Sequence, residues 1–292
     1  MKIADASRMF LEASEAPRLA AAQLVANQRL LASLAERLRA APPRSVATLG
    51  RGSSDNAATF ARYLIETRVG AATASAAPSV SSLYEAHPRQ KGVLVLAISQ
   101  SGRSPDLLAA AKAAVAEGAF LLALVNDPAS PLGRLAHQVV PLHAGDELSV
   151  AATKTFLASL CAIVQLVGLW TKEADLEAAL GDLPDLLARS WALDWSAAEP
   201  PLVRAHDLYV IGRGLGLAVA QEAALKFKET CGIHAEAFSA AELHHGPMAL
   251  VGPDFPVLAF VQDDETRLDV EAAAAACAAR GSPVFMVGGS AG

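Results

Sequence analysis

The sequence predicts an α/β protein: two tandem doubly wound parallel-sheet subdomains behind an N-terminal helical arm. Three observations predict it. First, the chain carries a shifted copy of itself. Gly50-Arg51-Gly52 recurs as Gly212-Arg213-Gly214, Leu96-Ala97-Ile98-Ser99-Gln100 as Leu258-Ala259-Phe260-Val261-Gln262, and Leu124-Val125-Asn126 as Met286-Val287-Gly288. All three pairs lie 162 positions apart (50 to 212, 96 to 258, 124 to 286). Second, Val93 to Ile98 is an unbroken apolar run, as in a strand buried on both faces of a parallel sheet. Third, strand, glycine turn, helix and strand alternate along the chain, the βαβ rhythm of a doubly wound sheet.

Met9 to Ala41 is rich in Ala, Leu and Arg with helical periodicity and ends at Pro42-Pro43, so residues 1–43 are predicted as the arm. The first subdomain, 44–170, opens with a strand at Ser45 to Leu49, a turn at Gly50-Arg51-Gly52-Ser53-Ser54 and a helix from Asp55 to Thr67. Val93 to Ile98, Phe120 to Val125 and Gln138 to Leu142 read as strands, with a helix from Pro105 to Glu117. Phe156 to Trp170 is the longest apolar stretch, shorter than the ~20 residues a spanning helix needs, so it reads as a buried helix. Residues 171–201 read as a helical connector closed by Glu199-Pro200-Pro201. The second subdomain, 202–292, opens with Leu208 to Ile211. By the repeat offset it stops short of the last strand and closing helix of the first copy, so it is expected to be incomplete.

Bulk composition removes several classes of function. A net charge of −6 with no basic cluster argues against nucleic acid as a partner. Three scattered cysteines, Cys161, Cys231 and Cys277, have no metal-ligand spacing and fit a reducing cytoplasm. Asp5, Arg8, Glu12 and Glu15 near the N-terminus do not read as a secretory signal. The expectation is a cytoplasmic protein with no membrane or nucleic-acid partner.

The two copies differ where ligand chemistry would be done. An open α/β sheet binds ligands beyond the carboxyl ends of its strands. There the first copy reads Ser99-Gln100-Ser101-Gly102-Arg103-Ser104, and the second reads Gln262-Asp263-Asp264-Glu265. Ser104 suits an N-cap, Pro105 the first helical position and Asp106 the first turn. A helix start attracts anions, and the hydroxyls of Ser99, Ser101 and Ser104 can donate to one, with Ser53 and Ser54 closing the other side. Asp106 would have to point away from a bound phosphate. A lone serine turn is commonly a cap without a ligand, but two such loops at adjacent strand ends favour an anion. Without a P-loop lysine or a full Gly-x-Gly-x-x-Gly, a nucleotide is disfavoured.

A second cluster lies in the later copy. Glu222, Lys226 and Glu229 fall along one helix stripe, either as candidate acid–base groups or as a surface salt-bridge ladder. Beyond them come Ile233 to Phe238 and Glu242-Leu243-His244-His245-Gly246-Pro247, dense in titratable groups. His245 reads as a loop histidine, whether functional or simply solvated. His234, His244 and His245 lack zinc-site spacing, so no metal is expected.

Together, Ser99-Gln100-Ser101-Gly102, Val150-Ala151-Ala152-Thr153-Lys154-Thr155-Phe156, Glu222 through Glu229, and His234-Ala235-Glu236 through His245-Gly246-Pro247 resemble the sugar isomerase (SIS) family. Within it, the closest in pattern are the isomerase half of glutamine-dependent fructose-6-phosphate aminotransferases and the SIS-type glucosamine-6-phosphate deaminases. The resemblance runs from about Arg44 to the end and implies two flavodoxin-like SIS subdomains. It implies that Ser54, Ser99, Gln100, Ser101 and Ser104 hold a sugar phosphate, with Gly52, Ser53, Val150 and Glu222 also on the substrate. It further implies that Glu229 moves a proton between C1 and C2, assisted by Lys226. His245 would open the sugar ring and come from the partner subunit of a homodimer. No cofactor is implied.

Several features depart from the family pattern. The chain begins at Met1-Lys2-Ile3 with no glutaminase domain, which favours deamination. Ala241 and His244 stand where a synthase commonly has Gly and Lys, and no lysine near the end matches the family's C-terminal one. The leading expectation is conversion of glucosamine 6-phosphate to fructose 6-phosphate and ammonia. The alternatives are another phosphosugar isomerase, a transaminase-like enzyme, a fructosamine-phosphate deglycase and a non-catalytic sugar-phosphate sensor.

Overall fold

The computed structural model describes residues 7–288 and divides into two compact units, Met1–Ala192 and Leu193–Gly292. In the first, the arm is two helices, α1 (Arg8–Ser14) and α2 (Ala16–Ala40), where the sequence suggested one. The break falls at Glu15 because Pro17, which has no N–H to donate, sits in the opening turn of α2. Ser7 Oγ caps α1 by accepting the Phe10 N–H. The sheet of this unit comprises β1 (Ser45–Leu49), β2 (Thr73–Ser75), β3 (Val93–Ser99), β4 (Phe120–Val125) and β5 (Gln138–Pro141). All pairings are parallel, in the order β2-β1-β3-β4-β5. β2 went unpredicted, since Thr-Ala-Ser is short and carries no apolar run.

Every residue of β3 is buried, as the run Val93 to Ile98 demanded. Five helices complete the layers: α3 (Ser53–Leu64), α4 (Pro78–Ser82), α5 (Pro105–Ala116), α6 (Pro131–Leu135) and α7 (Lys154–Thr171). The long apolar α7 is mostly buried inside this unit and packs against α2. The amide nitrogens in that contact are matched: Gln23 Nε2 donates to Ala158 O at 2.9 Å, and Gln165 Nε2 donates to Leu24 O at 2.8 Å. The predicted connector contains α8 (Ala174–Trp191), which packs on α2 and α7.

The second unit contains α9 (Glu199–Arg204), β6 (Asp207–Gly212), α10 (Leu215–Lys226), β7 (His234–Ser239), β8 (Val257–Val261), α11 (Arg267–Ala278) and β9 (Val284–Gly288). Its strands are again parallel, in the order β7-β6-β8-β9. The core lies between β6, β8 and α11, around Tyr209, Ile211, Val257, Ala259, Val270 and Ala274. The titratable stretch Ile233 to Phe238 supplies β7. Its His234 and Glu236 are exposed strand side chains alternating with buried Ala235, and His234 Nδ1 lies 3.0 Å from Asp207 Oδ1.

Candidate active site

In the first unit, the switch in strand order lies between β1 and β3, so a crevice opens where their carboxyl ends part. The turn after β1 and the loop after β3 both arrive there. Gly52 permits the first of these: at φ 55°, ψ −129° it occupies backbone space closed to residues with a side chain, and α3 starts directly behind it with Ser53 and Ser54. The loop after β3 is shaped by its own serines. Buried Ser99 accepts the Gly102 N–H at 3.0 Å, and Ser101 Oγ accepts from Arg103 N at 3.4 Å. A hydroxyl that accepts from the backbone still carries a proton to donate.

Ser104 is the N-cap of α5 with Pro105 in the first turn, but its hydroxyl does not cap the helix. It donates to Asp106 Oδ1 at 2.6 Å, and that same oxygen accepts the Leu107 N–H at 2.8 Å. Arg51 Nε donates to Asp106 Oδ2 at 2.9 Å. The Ser104 hydroxyl and then the Arg51 guanidinium hold the Asp106 carboxyl below its ordinary range. The carboxylate that looked like an obstacle to phosphate is therefore a clasp joining the two loops. The Arg51–Asp106 pair joins residues 55 positions apart and carries no local sequence signal.

Of the expected phosphate ligands, the fold brings Ser54, Ser99, Gln100, Ser101 and Ser104 to two adjacent strand ends, with Gly52 and Ser53 on the same turn. Val150 lies elsewhere in this unit, on the loop between β5 and α7, and is 97% exposed. That loop is held by carboxylates that the sequence reading did not single out. Glu147 accepts the N–H groups of Thr153 and Lys154, each at 2.8 Å, and the Thr155 hydroxyl, so it serves as the cap of α7. A lysine opening an otherwise apolar helix was the available signal.

In the second unit, Glu222 and Lys226 lie on α10, and Glu229 lies on the π-helical turn Phe227–Cys231 that follows. Lys226 Nζ sits 3.3 Å from Glu222 Oε1 and 2.6 Å from Glu229 Oε2. The three side chains are 16%, 9% and 30% exposed in the order Lys226, Glu222, Glu229. That is drier than a surface ladder, and only the outer carboxylate reaches solvent appreciably. His245 stands exposed at the end of the short 3₁₀ turn Glu242–His244, donating its backbone N–H to Glu242 O at 2.9 Å.

Among the described residues no group of three or more His, Cys, Asp and Glu could hold a metal ion. Cys161 is buried, which pushes its thiol up to about 12 and leaves it unreactive.

Two parallel sheets in tandem, each with its switch point beside the second strand of the order, define a repeated doubly wound α/β protein. The SIS domain profile matches residues 41–169 and 201–291, and the chain belongs to the SIS domain family. A glutamine–fructose-6-phosphate aminotransferase (isomerizing) of Thermotoga maritima is 35% identical over 209 residues, 68% of this chain and 34% of the relative. The chain thus spans about a third of the length of that relative. Among solved structures, a candidate phosphosugar isomerase from Silicibacter pomeroyi DSS-3 is 43% identical with a TM-score of 0.90, covering 97% of this chain and 86% of that one. The C-terminal domain of glucosamine-fructose-6-phosphate aminotransferase from Francisella tularensis is 26% identical with a TM-score of 0.78, covering 97% and 84%.

Proposed function

We propose that the chain is an aminosugar-phosphate deaminase/isomerase acting on glucosamine 6-phosphate, with the serine loops as its phosphate anchor and Glu229 as its proton carrier. The observation that carries this reading is the Lys226-bridged pair of Glu222 and Glu229, since a passive sugar-phosphate binder needs the serine cradle alone. Anchoring a phosphate far from the reacting carbons also supports rate, because that binding energy can be used to align C1 and C2.

In the proposed step, His245 of a second copy assists opening of the sugar ring. Glu229 then takes the proton from C2 of the open-chain aldose. The C–H electron pair forms the C1–C2 double bond, and the C1 carbonyl oxygen takes a proton from water to become a hydroxyl, which the nitrogen's later loss of a proton to water balances. The resulting enolamine accepts a proton at C1 from Glu229 while its nitrogen gives one up, leaving a ketose imine. Water adds at C2 and ammonia departs, giving fructose 6-phosphate. One carboxylate that both takes and returns a proton suffices for the transfer, and Lys226 Nζ, 2.6 Å away, keeps it placed and charge-balanced. Val150 would contact the sugar through its backbone.

The similarity to aminotransferases supports a second direction for the same half-reaction, in which ammonia is added to fructose 6-phosphate. Ammonia release from a panel of hexosamine and fructosamine 6-phosphates separates the substrates. Glu229→Gln is expected to lower turnover by at least about a thousandfold, with glucosamine 6-phosphate binding within about twofold of the parent. Ammonia release at the parent rate by this variant would remove the role of Glu229, whereas no ammonia from the parent chain with any sugar of the panel would leave the sensor reading.

A further inference from the structure

Outside the two loop sites, the densest set of buried charges in the first unit lies where the arm meets the loop between β5 and α7. Glu12, 6% exposed, accepts the Leu148 N–H on Oε1 at 2.7 Å and the Ser149 N–H on Oε2 at 3.2 Å. Its neighbour Glu15 accepts from Lys154 Nζ at 3.0 Å, and the Lys154 side chain is 3% exposed. Glu147 closes the far side by taking the N–H groups of Thr153 and Lys154. A segment of six residues, Leu148 to Thr153, is therefore gripped at both ends by carboxylates. The residue directly after the Glu12 contacts is Val150, which projects almost wholly into solvent.

Such an arrangement is expensive to keep for loop stability alone. Burying a carboxylate is unfavourable unless its oxygens are matched. Here a helix 136 positions away in sequence reaches over to fix two consecutive peptide groups. Both oxygens of Glu12 are used, one per N–H, so the grip sets the orientation of the Ser149–Val150 backbone as well as its location. Charge-assisted bonds of this kind are among the stronger ones available.

We propose that Glu12 is a positioning residue: through Leu148 and Ser149 it presents the Val150 backbone to the sugar portion of a bound phosphosugar, and the Glu15–Lys154 pair holds the arm in place for it. The inference rests on the function proposed above, in which Val150 contacts substrate. It distinguishes two jobs within the first unit. The serine cradle binds the phosphate, and the arm, through Glu12, governs the grip on the rest of the sugar.

The test uses the whole chain and the variants Glu12→Gln and Glu12→Asp. The readouts are calorimetric binding of glucosamine 6-phosphate and of inorganic phosphate, amide hydrogen exchange at Leu148 and Ser149, and melting temperature. Gln keeps the shape but replaces one acceptor oxygen by a donor, so one N–H loses its partner. Expected for Glu12→Gln are faster exchange at both amides, about tenfold weaker glucosamine 6-phosphate binding and phosphate affinity within about twofold of the parent. Glu12→Asp keeps both oxygens and is expected to recover part of the sugar affinity. The role is overturned if both amides loosen while glucosamine 6-phosphate binds as before. It is equally overturned if both ligands weaken together in step with a fall in melting temperature. A parent chain that binds phosphate but no hexosamine phosphate defeats the functional reading first, and this inference with it.

Discussion

As the second residue of the helix after β1 the chain places Ser54; at the matching point after β6 it places Gly216, and a glutamine fills the space. Gln262 Oε1 accepts the Gly216 N–H at 2.7 Å, occupying the start of α10 with the protein's own acceptor. A Cβ added at Gly216 would lie 2.5 Å from that oxygen, so the glycine is what admits the glutamine. Asp264 does the same for the next helix, its Oδ1 accepting the N–H of Thr266 at 2.8 Å and its hydroxyl at 2.5 Å. Around these substitutions the backbone is conserved between copies. α3 and α10, α5 and α11, and the π-helical turns Ile65–Val69 and Phe227–Cys231 all start and stop 162 positions apart (53 to 215, 105 to 267, 65 to 227). Gly52 and Gly214 share ψ −129° at φ 55° and 57°. The fold thus keeps two potential anion sites, and side chains decide which stays open. The second copy is self-satisfied, whereas the first retains hydroxyls.

The comparison also qualifies the π-helical turn. Such turns often mark functional sites, yet both copies have one. In the first copy Glu66 in the turn accepts the Thr73 N–H at 2.9 Å, a link within the fold. The turn belongs to the repeat. What the second copy adds is Glu229 in the turn and Lys226 one position before it.

The largest expected effect on the plugged copy comes from giving it the first copy's side chain. Gly216→Ser forces the new Cβ against the end of the Gln262 side chain, which can swing aside only by giving up the Gly216 N–H, and should cost about 1–2 kcal/mol. Gln262→Ala removes the obstacle and should cost about 1 kcal/mol for the unmatched N–H. If the fit is as described, the double variant is more stable than the sum of the singles implies. Urea denaturation of all four proteins measures this, and strict additivity would show that Gln262 is not what excludes a side chain there.

The architecture was legible because it rests on local signals repeated at one offset: glycine turns, apolar runs and a proline-terminated arm. The proposed anion site stood out for the same reason, since the second copy carries acidic residues where the first carries serines. What could not be read were pairings between distant segments. Gly216 with Gln262, Arg51 with Asp106 and Glu12 with Leu148 join residues that are brought together only by sheet order and helix packing. Ser104 shows a subtler miss: its cap position followed from the sequence, but the direction of its hydroxyl depended on Asp106 being held by Arg51. β2 and β7 were missed because polar or mixed strands lack an apolar run, and neighbouring strands, more than propensity, recruit them.

Acid separates the copies with a smaller effect. Burial opposes ionisation of Glu12, but the Leu148 and Ser149 bonds and the Lys154 charge outweigh it, leaving its carboxyl below the ordinary 4.5. A carboxyl depressed in the folded state contributes stability that is complete above its unfolded value. That contribution is lost as pH falls through the folded one. The first unit's loop Leu148–Thr153 should therefore loosen below about pH 4.5, read as faster amide exchange at Leu148 and Ser149. Glu12→Gln should remove that pH dependence. Its persistence in the variant would place the responsible group elsewhere.

The smallest effect concerns a device both copies share. Arg51 reaches Asp106 across the first switch point, and Arg213 Nε lies 2.9 Å from Asp269 in the second. Both pairs are substantially solvated, with side-chain exposures of 55% and 35% for the first and 36% and 55% for the second. Exposed pairs contribute ~0–1 kcal/mol, so Arg51→Ala and Arg213→Ala should each change stability by less than about 1 kcal/mol. Function should part them. Without Arg51, Asp106 keeps its bond from Ser104 but loses the cation that balances its charge, and a phosphate bound at the serine loop would meet that carboxylate unscreened. Arg51→Ala is therefore expected to weaken inorganic phosphate binding by about tenfold, and Arg213→Ala to leave it within about twofold, since the second copy's helix starts are already occupied by Gln262 and Asp264. Equal losses from the two substitutions would mean that the arginines act through overall charge, and that the asymmetry between the copies does not govern where the anion binds.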